Sequence, residues 1–320
     1  MELSDQMRLV VVIINYKTPD LVIGALGSLE SEIHYEKDKV VVVDNASNDG
    51  SLDKISAYIK KRKWTDWIDI IASPVNGGFS AGNNLGFEHM QAKYYLLLNG
   101  DAWVHPKSIS TMIKTMEKEK YLGLVGPRIE WEDGTQQVSC FHNVTPSASF
   151  LNAARTGVFT RLAGLLGVKE VAIPVEDKYE QPDWLSFACV LLKYEMVKDV
   201  GLMDEGYFMY YEDNDYCRRA LDSGWQLIFD NGARVVHLNK GDSNQNGIKR
   251  LPHYYYRSRS RYFLKFYGRF GLLRANTFWF LGRCVSLLRE LFERKQAAFH
   301  SMMWWDIWIG FWDDYDKYRK

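Results

Sequence analysis

The first hundred residues repeat one unit: a short apolar run, a polar loop, then a helix-length segment. Leu9–Ile14, Lys39–Val43, Ile68–Ile71 and Tyr94–Leu98 are the four runs. Each is too short for a helix core and is rich in β-branched or aromatic residues, so each reads as a buried strand. A strand, loop and helix recurring about every thirty residues predicts βαβ units and hence an α/β fold with a doubly wound, mostly parallel sheet. Ligands bind such sheets just beyond the carboxyl ends of the strands. The loops that follow the four runs are therefore where chemistry should be sought.

The first run ends in Asn15-Tyr16-Lys17-Thr18-Pro19-Asp20. A dinucleotide-binding fold would carry G-x-G-x-x-G there, so that reading is excluded. Thr18 followed by Pro19 predicts a capping hydroxyl and a helix to about Glu30. The second run stops at Asp44-Asn45-Ala46-Ser47-Asn48-Asp49-Gly50-Ser51, where Asp49 or Ser51 can cap a helix near Leu52–Lys61. Asp44 reads either as the opening of an Asx-turn or as a carboxylate for a base or ribose. Gly77, Gly78, Gly82 and Gly86 follow the third run, as a flexible loop or as backbone that a phosphate or sugar can approach closely. The fourth releases Asn99-Gly100-Asp101, a turn or a single carboxylate able to hold a divalent cation.

Beyond these, Gly123–Ile129 reads as a strand. Residues 131–182 are irregular, with a short helix near Ser149–Leu166, and suit either an insertion that shapes an acceptor site or a mobile loop. Asp183–Leu192 predicts a strand and Tyr194–Val200 a helix. Between Asp204 and Asp215 stand five acids among aromatics, and Glu212-Asp213 leads into a helix that Gly224 would cap. Those two carboxylates serve either the helix dipole or catalysis. Trp225–Phe229 and Arg234–His237 read as two final strands, with His237 a candidate metal ligand.

Hydrophobic residues make up 47% and aromatics 14%, enough for a full core. Forty basic residues balance forty acidic ones, yet from Arg250 onward there are 14 basic and six acidic, a surplus of eight. Eleven basic residues fall between Arg250 and Lys295, and Trp304, Trp305, Trp308 and Trp312 recur as if on one helical face. This predicts a helical, basic and aromatic extension over 251–320, after a domain over 1–250. It reads equally as an interfacial helix in peripheral contact with a membrane and as helices packed on the catalytic domain or a second subunit in a homodimer. No nucleic-acid module is recognisable. The four cysteines are dispersed, without a C-x-x-C pair, which suits a reducing compartment. Met1–Arg8 lacks the pattern of a signal peptide, and no run reaches ~18 apolar residues, so the expected place is the cytoplasm.

Taken together, the motifs resemble glycosyltransferase family 2, inverting enzymes of the GT-A fold, and within it bacterial rhamnosyltransferases of surface polysaccharide. The likeness rests on Asp44-Asn45-x-Ser47-x-Asp49-Gly50-Ser51, Asn76-Gly77-Gly78-Phe79-x-x-Gly82-Asn83-Asn84-x-Gly86, Leu98-Asn99-x-Asp101, Gly201-x-x-Asp204-Glu205-x-x-Phe208-x-Tyr210-x-Glu212-Asp213-x-Asp215, and His237. It implies that Asn15, Asp44 and Asn45 lie along the nucleoside, with Gly78 and Asn83 beneath the sugar nucleotide. Asp101 would be the remaining acid of the Asp-x-Asp motif, holding Mg²⁺ or Mn²⁺ with His237. Asp213 would be the general base, while Glu212 and Trp184 bind the acceptor. Asn99 replaces the first acid of that motif, Gly100 stands where proline is common, and Phe187 replaces a small residue beside the acceptor pocket.

The chemistry agrees with these roles, since inverting transfer needs one base on the attacking hydroxyl and positive charge on the departing diphosphate. The resemblance implies a dTDP- or UDP-linked donor, with rhamnose from dTDP-rhamnose the first expectation, and a glycan or lipid-linked oligosaccharide acceptor. The alternatives are a UDP-hexose or UDP-N-acetylhexosamine donor, or a non-catalytic glycan-binding scaffold.

Overall fold

The computed structural model describes residues 7–175, 181–238, 250–293 and 299–314. In chain order the elements are β1 (Met7–Asn15), α1 (Pro19–Leu29), β2 (Asp38–Asp44), α2 (Ser51–Arg62), β3 (Ile68–Ala72), α3 (Gly78–His89), β4 (Ala92–Asn99), β5 (Ala102–Val104), α4 (Ser108–Met116) and β6 (Leu122–Glu130). Then come β7 (Cys140–Phe141), α5 (Ala148–Ala154), α6 (Gly157–Leu165), β8 (Trp184–Leu185), β9 (Cys189–Lys193), α7 (Tyr194–Val200), α8 (Glu212–Asp222), β10 (Gln226–His237), α9 (His253–Glu293) and α10 (Met303–Asp306). The backbone divides into two compact units. One comprises Met1–Phe141, Pro174–Phe208 and Glu212–Gly241; the other comprises His142–Ile173, Met209–Tyr211 and Asp242–Lys320.

The first unit is built on an eight-stranded sheet in the order β3-β2-β1-β4-β9-β6-β10-β5. β1 pairs in parallel with β2 and β4, β2 with β3, and β6 with β10. β9 runs antiparallel between β4 and β6, and β5 runs antiparallel to the end of β10. Val10–Ile13 and Val40–Val43 are wholly buried, because a sheet covered on both faces buries every side chain of its central strands. That is why these strands read as unbroken apolar runs, each Val, Leu or Ile contributing about 1.5–3 kcal/mol on burial. The register sets Asn15 opposite Asp44 and Ile14 opposite Asn99. The loop residues singled out in the sequence therefore leave the sheet at one edge.

Several local expectations are corrected. Thr18 occupies the N-cap of α1 without a side-chain cap bond; instead its amide donates to Asn15 Oδ1 at 3.3 Å. Gly50, in the left-handed conformation, takes the N-cap of α2, and Asp49 Oδ1 accepts from the Ser51 amide. The two expected final strands are one, β10, with an irregularity between Asp230 and Arg234. The expected strand over Asp183–Leu192 is two: β8, paired with β7, and β9 in the main sheet. Gly224 does follow α8 with positive φ, its amide donating to Leu221 O.

In the second unit α9 departs from helical geometry at Gly268 (φ 68°, ψ −179°). Tyr256, Trp279 and Ile307 pack with Ala153 of α5. Arg250 forks onto Asp306 at 2.8 and 2.6 Å, and Asn276 bridges Arg259 and the Ile307 carbonyl. The expected tryptophan stripe does not lie on one helix, because α10 spans only Met303–Asp306. Trp304 packs edge-on against Trp279 and Phe280, whereas Trp305 and Trp312 stand 73% and 82% exposed. Among the described residues no helix is long and apolar enough to cross a membrane.

Candidate active site

All ten candidate residues lie in the first unit, nine of them in three groups and Trp184 as the tenth. The first group closes the ends of β1 and β2. Asn15 Nδ2 donates to Asp44 Oδ1 at 2.6 Å and to Ser47 Oγ at 3.1 Å, while the Ser47 hydroxyl and amide both donate to Asp44. Burying a carboxylate is costly unless its oxygens accept such hydrogen bonds. Asn45 Nδ2 donates to Gly78 O and Asn76 Oδ1, each at 3.0 Å, which joins the Asp44 loop to the glycine loop. Gly78 has φ +83°, and a Cβ there would lie 2.0 Å from Phe208 O. Asn83 is buried in α3, its amide bonded back to Phe79 O. Its neighbour Asn84 ties α3 to Met203 and Glu205 through three hydrogen bonds.

The second group gathers at the ends of β4 and β10. Asp101 Oδ1 lies 3.2 Å from His237 Nε2, and Asn99 Nδ2 lies 3.4 Å from the same nitrogen. The Leu238 amide donates to Asp101 O, and Gln137 Nε2 donates to His237 O at 2.7 Å. Nothing in the sequence pointed to Gln137, which stands a hundred residues before the histidine it anchors. Among the described residues no three acidic, histidine or cysteine side chains converge as a metal cluster. One carboxylate and one imidazole nonetheless suit an ion that takes its remaining ligands from phosphate oxygens and water, as Mg²⁺ and Mn²⁺ do.

The third group is the acidic segment, which the structure sorts. Asp204 Oδ1 accepts from the Gly206 amide, and Glu205 accepts from Asn84. Asp215 accepts from the Tyr207 hydroxyl and from Arg219 Nε. Those three serve the fold. Glu212 and Asp213 open α8, where the helix dipole favours negative charge. Burial raises the Glu212 carboxyl well above its ordinary range, with the neighbouring Asp213 charge adding to it, and Glu212 Oε2 is buried without a hydrogen-bond partner. Burial also pushes Asp213 up to about 7, against backbone hydrogen bonds from Asn214, Asp213 and Phe187 that favour the charged form. Burial thus raises both carboxyls, and a value near 7 leaves Asp213 poised to take a proton at neutral pH, the condition sought in a general base.

Nearby, Phe141 stacks on Trp184 with centroids 3.9 Å apart and planes 12° from parallel. One face of the indole is thus covered, a pairing of β7 and β8 that their separation of more than forty residues concealed. Phe187 is buried and meets Tyr216 edge-on.

Residues 10–154 match the family model described as glycosyl transferase family 2. The chain is 26% identical over 217 residues to the low-salt glycan biosynthesis hexosyltransferase Agl10 of Haloferax volcanii, an alignment covering 66% of this chain and 60% of that protein. It is 23% identical to rhamnosyltransferase WbbL of Escherichia coli, covering 91% of this chain and 98% of that one. Among solved structures, the mannosyltransferase PcManGT from Pyrobaculum calidifontis in complex with GDP-Man and Mn²⁺ superposes with a TM-score of 0.57 at 13% identity, covering 98% of this chain and 84% of that one. The sheet is accordingly of the GT-A type, and residues 10–154 resemble glycosyl transferase family 2 in a chain similar in sequence to a rhamnosyltransferase.

Proposed function

We propose that this chain is an inverting glycosyltransferase that moves L-rhamnose from dTDP-rhamnose to a hydroxyl of a growing, lipid-linked glycan. The observation that carries the reading is the Glu212-Asp213 pair at the amino end of α8, with Asp213 raised to about 7. Asp213 takes the proton of the acceptor hydroxyl as that oxygen attacks the anomeric carbon. Glu212 hydrogen-bonds the acceptor, and the Trp184 indole stacks on its sugar ring. Asn15, Asp44 and Asn45 hold the nucleoside, and the backbone around Gly78, with Asn83, lies beneath the sugar. The chain's similarity to a rhamnosyltransferase favours rhamnose, and its similarity to a hexosyltransferase keeps a UDP-hexose donor as the second reading. A thermal-shift panel of dTDP-, UDP- and GDP-sugars, followed by transfer and hydrolysis assays, tests it. Stabilisation by dTDP-rhamnose with transfer exceeding hydrolysis is expected; hydrolysis alone with every donor would overturn the reading.

Asp101 and His237 would hold Mg²⁺ or Mn²⁺, which supplies positive charge for the diphosphate leaving group when bound. Chelation is expected to abolish transfer, and Asp101→Ala and His237→Ala each to lower it and weaken nucleotide binding. Full activity in excess chelator, with both variants binding nucleotide normally, would remove the metal from this site.

From Arg250 onward the second unit exposes Phe270, Phe292, Trp305 and Trp312, in a stretch with a surplus of eight positive charges. An anionic membrane surface, on which such an acceptor would reside, fits both features. Each Lys or Arg near the surface contributes about 1 kcal/mol, so attachment is reversible. The full chain is expected to sediment with anionic liposomes at low salt and to be released at high salt, where screening shortens the reach of the charges. Trp305→Ser with Trp312→Ser should weaken sedimentation. A chain that stays in the supernatant at low salt has no such surface.

A further inference from the structure

Tyr210 and Tyr211 have φ of 70° and 69°, the left-handed region that is sterically costly for any residue with a Cβ. Two aromatic residues in this conformation, directly before Glu212, persist only if their surroundings hold them. The holding groups stand on the first turns of α9. Tyr254 stacks on Tyr210 at 6.1 Å and 14°, and Tyr255 meets Tyr210 at 5.4 Å and Tyr211 at 5.9 Å. Tyr262 lies 5.6 Å from Tyr211, and Ser258 Oγ donates to Met209 O at 2.9 Å. Met209–Tyr211 belongs for this reason to the second unit, although the residues on either side of it belong to the first. Just upstream, Phe208 O accepts from the Phe79 amide at 2.7 Å.

We propose that Tyr254, Tyr255 and Ser258 are positioning residues for the acid pair. By keeping Tyr210 and Tyr211 left-handed they fix the direction in which the chain enters Glu212-Asp213, and with it the aim of the Asp213 carboxylate. Released from α9, the two strained residues would relax toward negative φ and swing the peptide that begins α8. The inference rests on Asp213 being the base, since only a group that must be aimed within an ångström or so makes such a latch matter to turnover.

The test compares full-length Ser258→Ala, Tyr254→Ala and Tyr254→Phe for kcat and donor KM, with dTDP-rhamnose or the panel donor that turns over. Ser258→Ala and Tyr254→Ala are expected to lower kcat about tenfold or more with donor KM held within about twofold. Tyr254→Phe, which keeps the ring stack, should restore kcat. Unchanged kcat in both alanine variants, a loss carried by KM, or a phenylalanine variant as impaired as the alanine one would overturn the proposal. Should Tyr254→Ala fail to fold, Ser258→Ala, which removes a single hydrogen bond, decides on the same kcat criterion. Asp213→Asn measured alongside separates the two claims. If it turns over normally, the base assignment falls; if it is inactive while the α9 variants are normal, only the positioning role falls.

Discussion

Asp213→Asn is expected to lower sugar transfer by about two to four orders of magnitude, the usual scale for removing a general base, while the protein stays folded and binds nucleotide as before. The amide is isosteric with the carboxylate and still accepts the backbone hydrogen bonds at the start of α8. It also carries no charge, and burial is what raises this group in the first place, so the substitution relieves a desolvation cost instead of creating one. Transfer rate and nucleotide affinity, measured on the same preparation, give the answer. Turnover near the parent level would take Asp213 out of the mechanism.

The pH dependence follows with a definite sign. Asp213 must be ionised to accept the hydroxyl proton, so transfer falls as the pH drops through about 7. An unperturbed aspartate would keep the enzyme active down to about pH 4. Glu212→Gln should leave that limb in place, because burial is the main cause of the Asp213 shift. Its effect should fall on acceptor KM. A limb displaced to about pH 4 in the parent protein would show that the carboxyl is better solvated than the structure has it.

The parts of this protein that could be read from sequence are those whose signal is local. Val10–Ile13 and Val40–Val43 announce central strands because burial on both faces leaves no room for a polar residue. Asp101 and His237 could be placed by position, since both stand at strand ends. What escaped depends on partners distant in the chain. Residues 140–141 pair with 184–185, and Gln137 anchors the His237 carbonyl, contacts for which neither segment carries a pattern. Helices α5 and α9 are separated by about a hundred residues, so the surface that buries Trp279 is invisible from either alone. The tryptophans of the tail obeyed a helical spacing, but α10 ends at Asp306 and the chain continues in turns. Tyr210 and Tyr211 are the clearest case. Tyrosine favours extended backbone, and only the rings of α9 account for two left-handed residues in succession.

Gly78→Ala is expected to be among the most damaging substitutions of a single methyl group in this fold. The new Cβ would stand 2.0 Å from Phe208 O, 2.6 Å from its carbon and 2.7 Å from its Cα. All three are backbone atoms, so no rotamer change can clear them. The left-handed φ costs about 1–2 kcal/mol for a residue with a Cβ, and forcing the packed backbone apart adds about 1–3 kcal/mol. Gly50 provides the control, since its φ is +86° and a Cβ there meets nothing within 4 Å. Gly50→Ala should therefore show the conformational cost alone. Urea unfolding of both variants measures the difference, and equal destabilisation would mean that the close approach at Gly78 is absent. The functional loss should exceed what stability explains, because Gly78 O receives the Asn45 amide and Phe79 N holds Phe208. Pushing Phe208 away disturbs the donor loop at one end and the chain leading to Glu212-Asp213 at the other. Transfer at a temperature where the variant is fully folded should thus be at least tenfold below the parent, whereas Gly50→Ala, measured in the same way, should retain it.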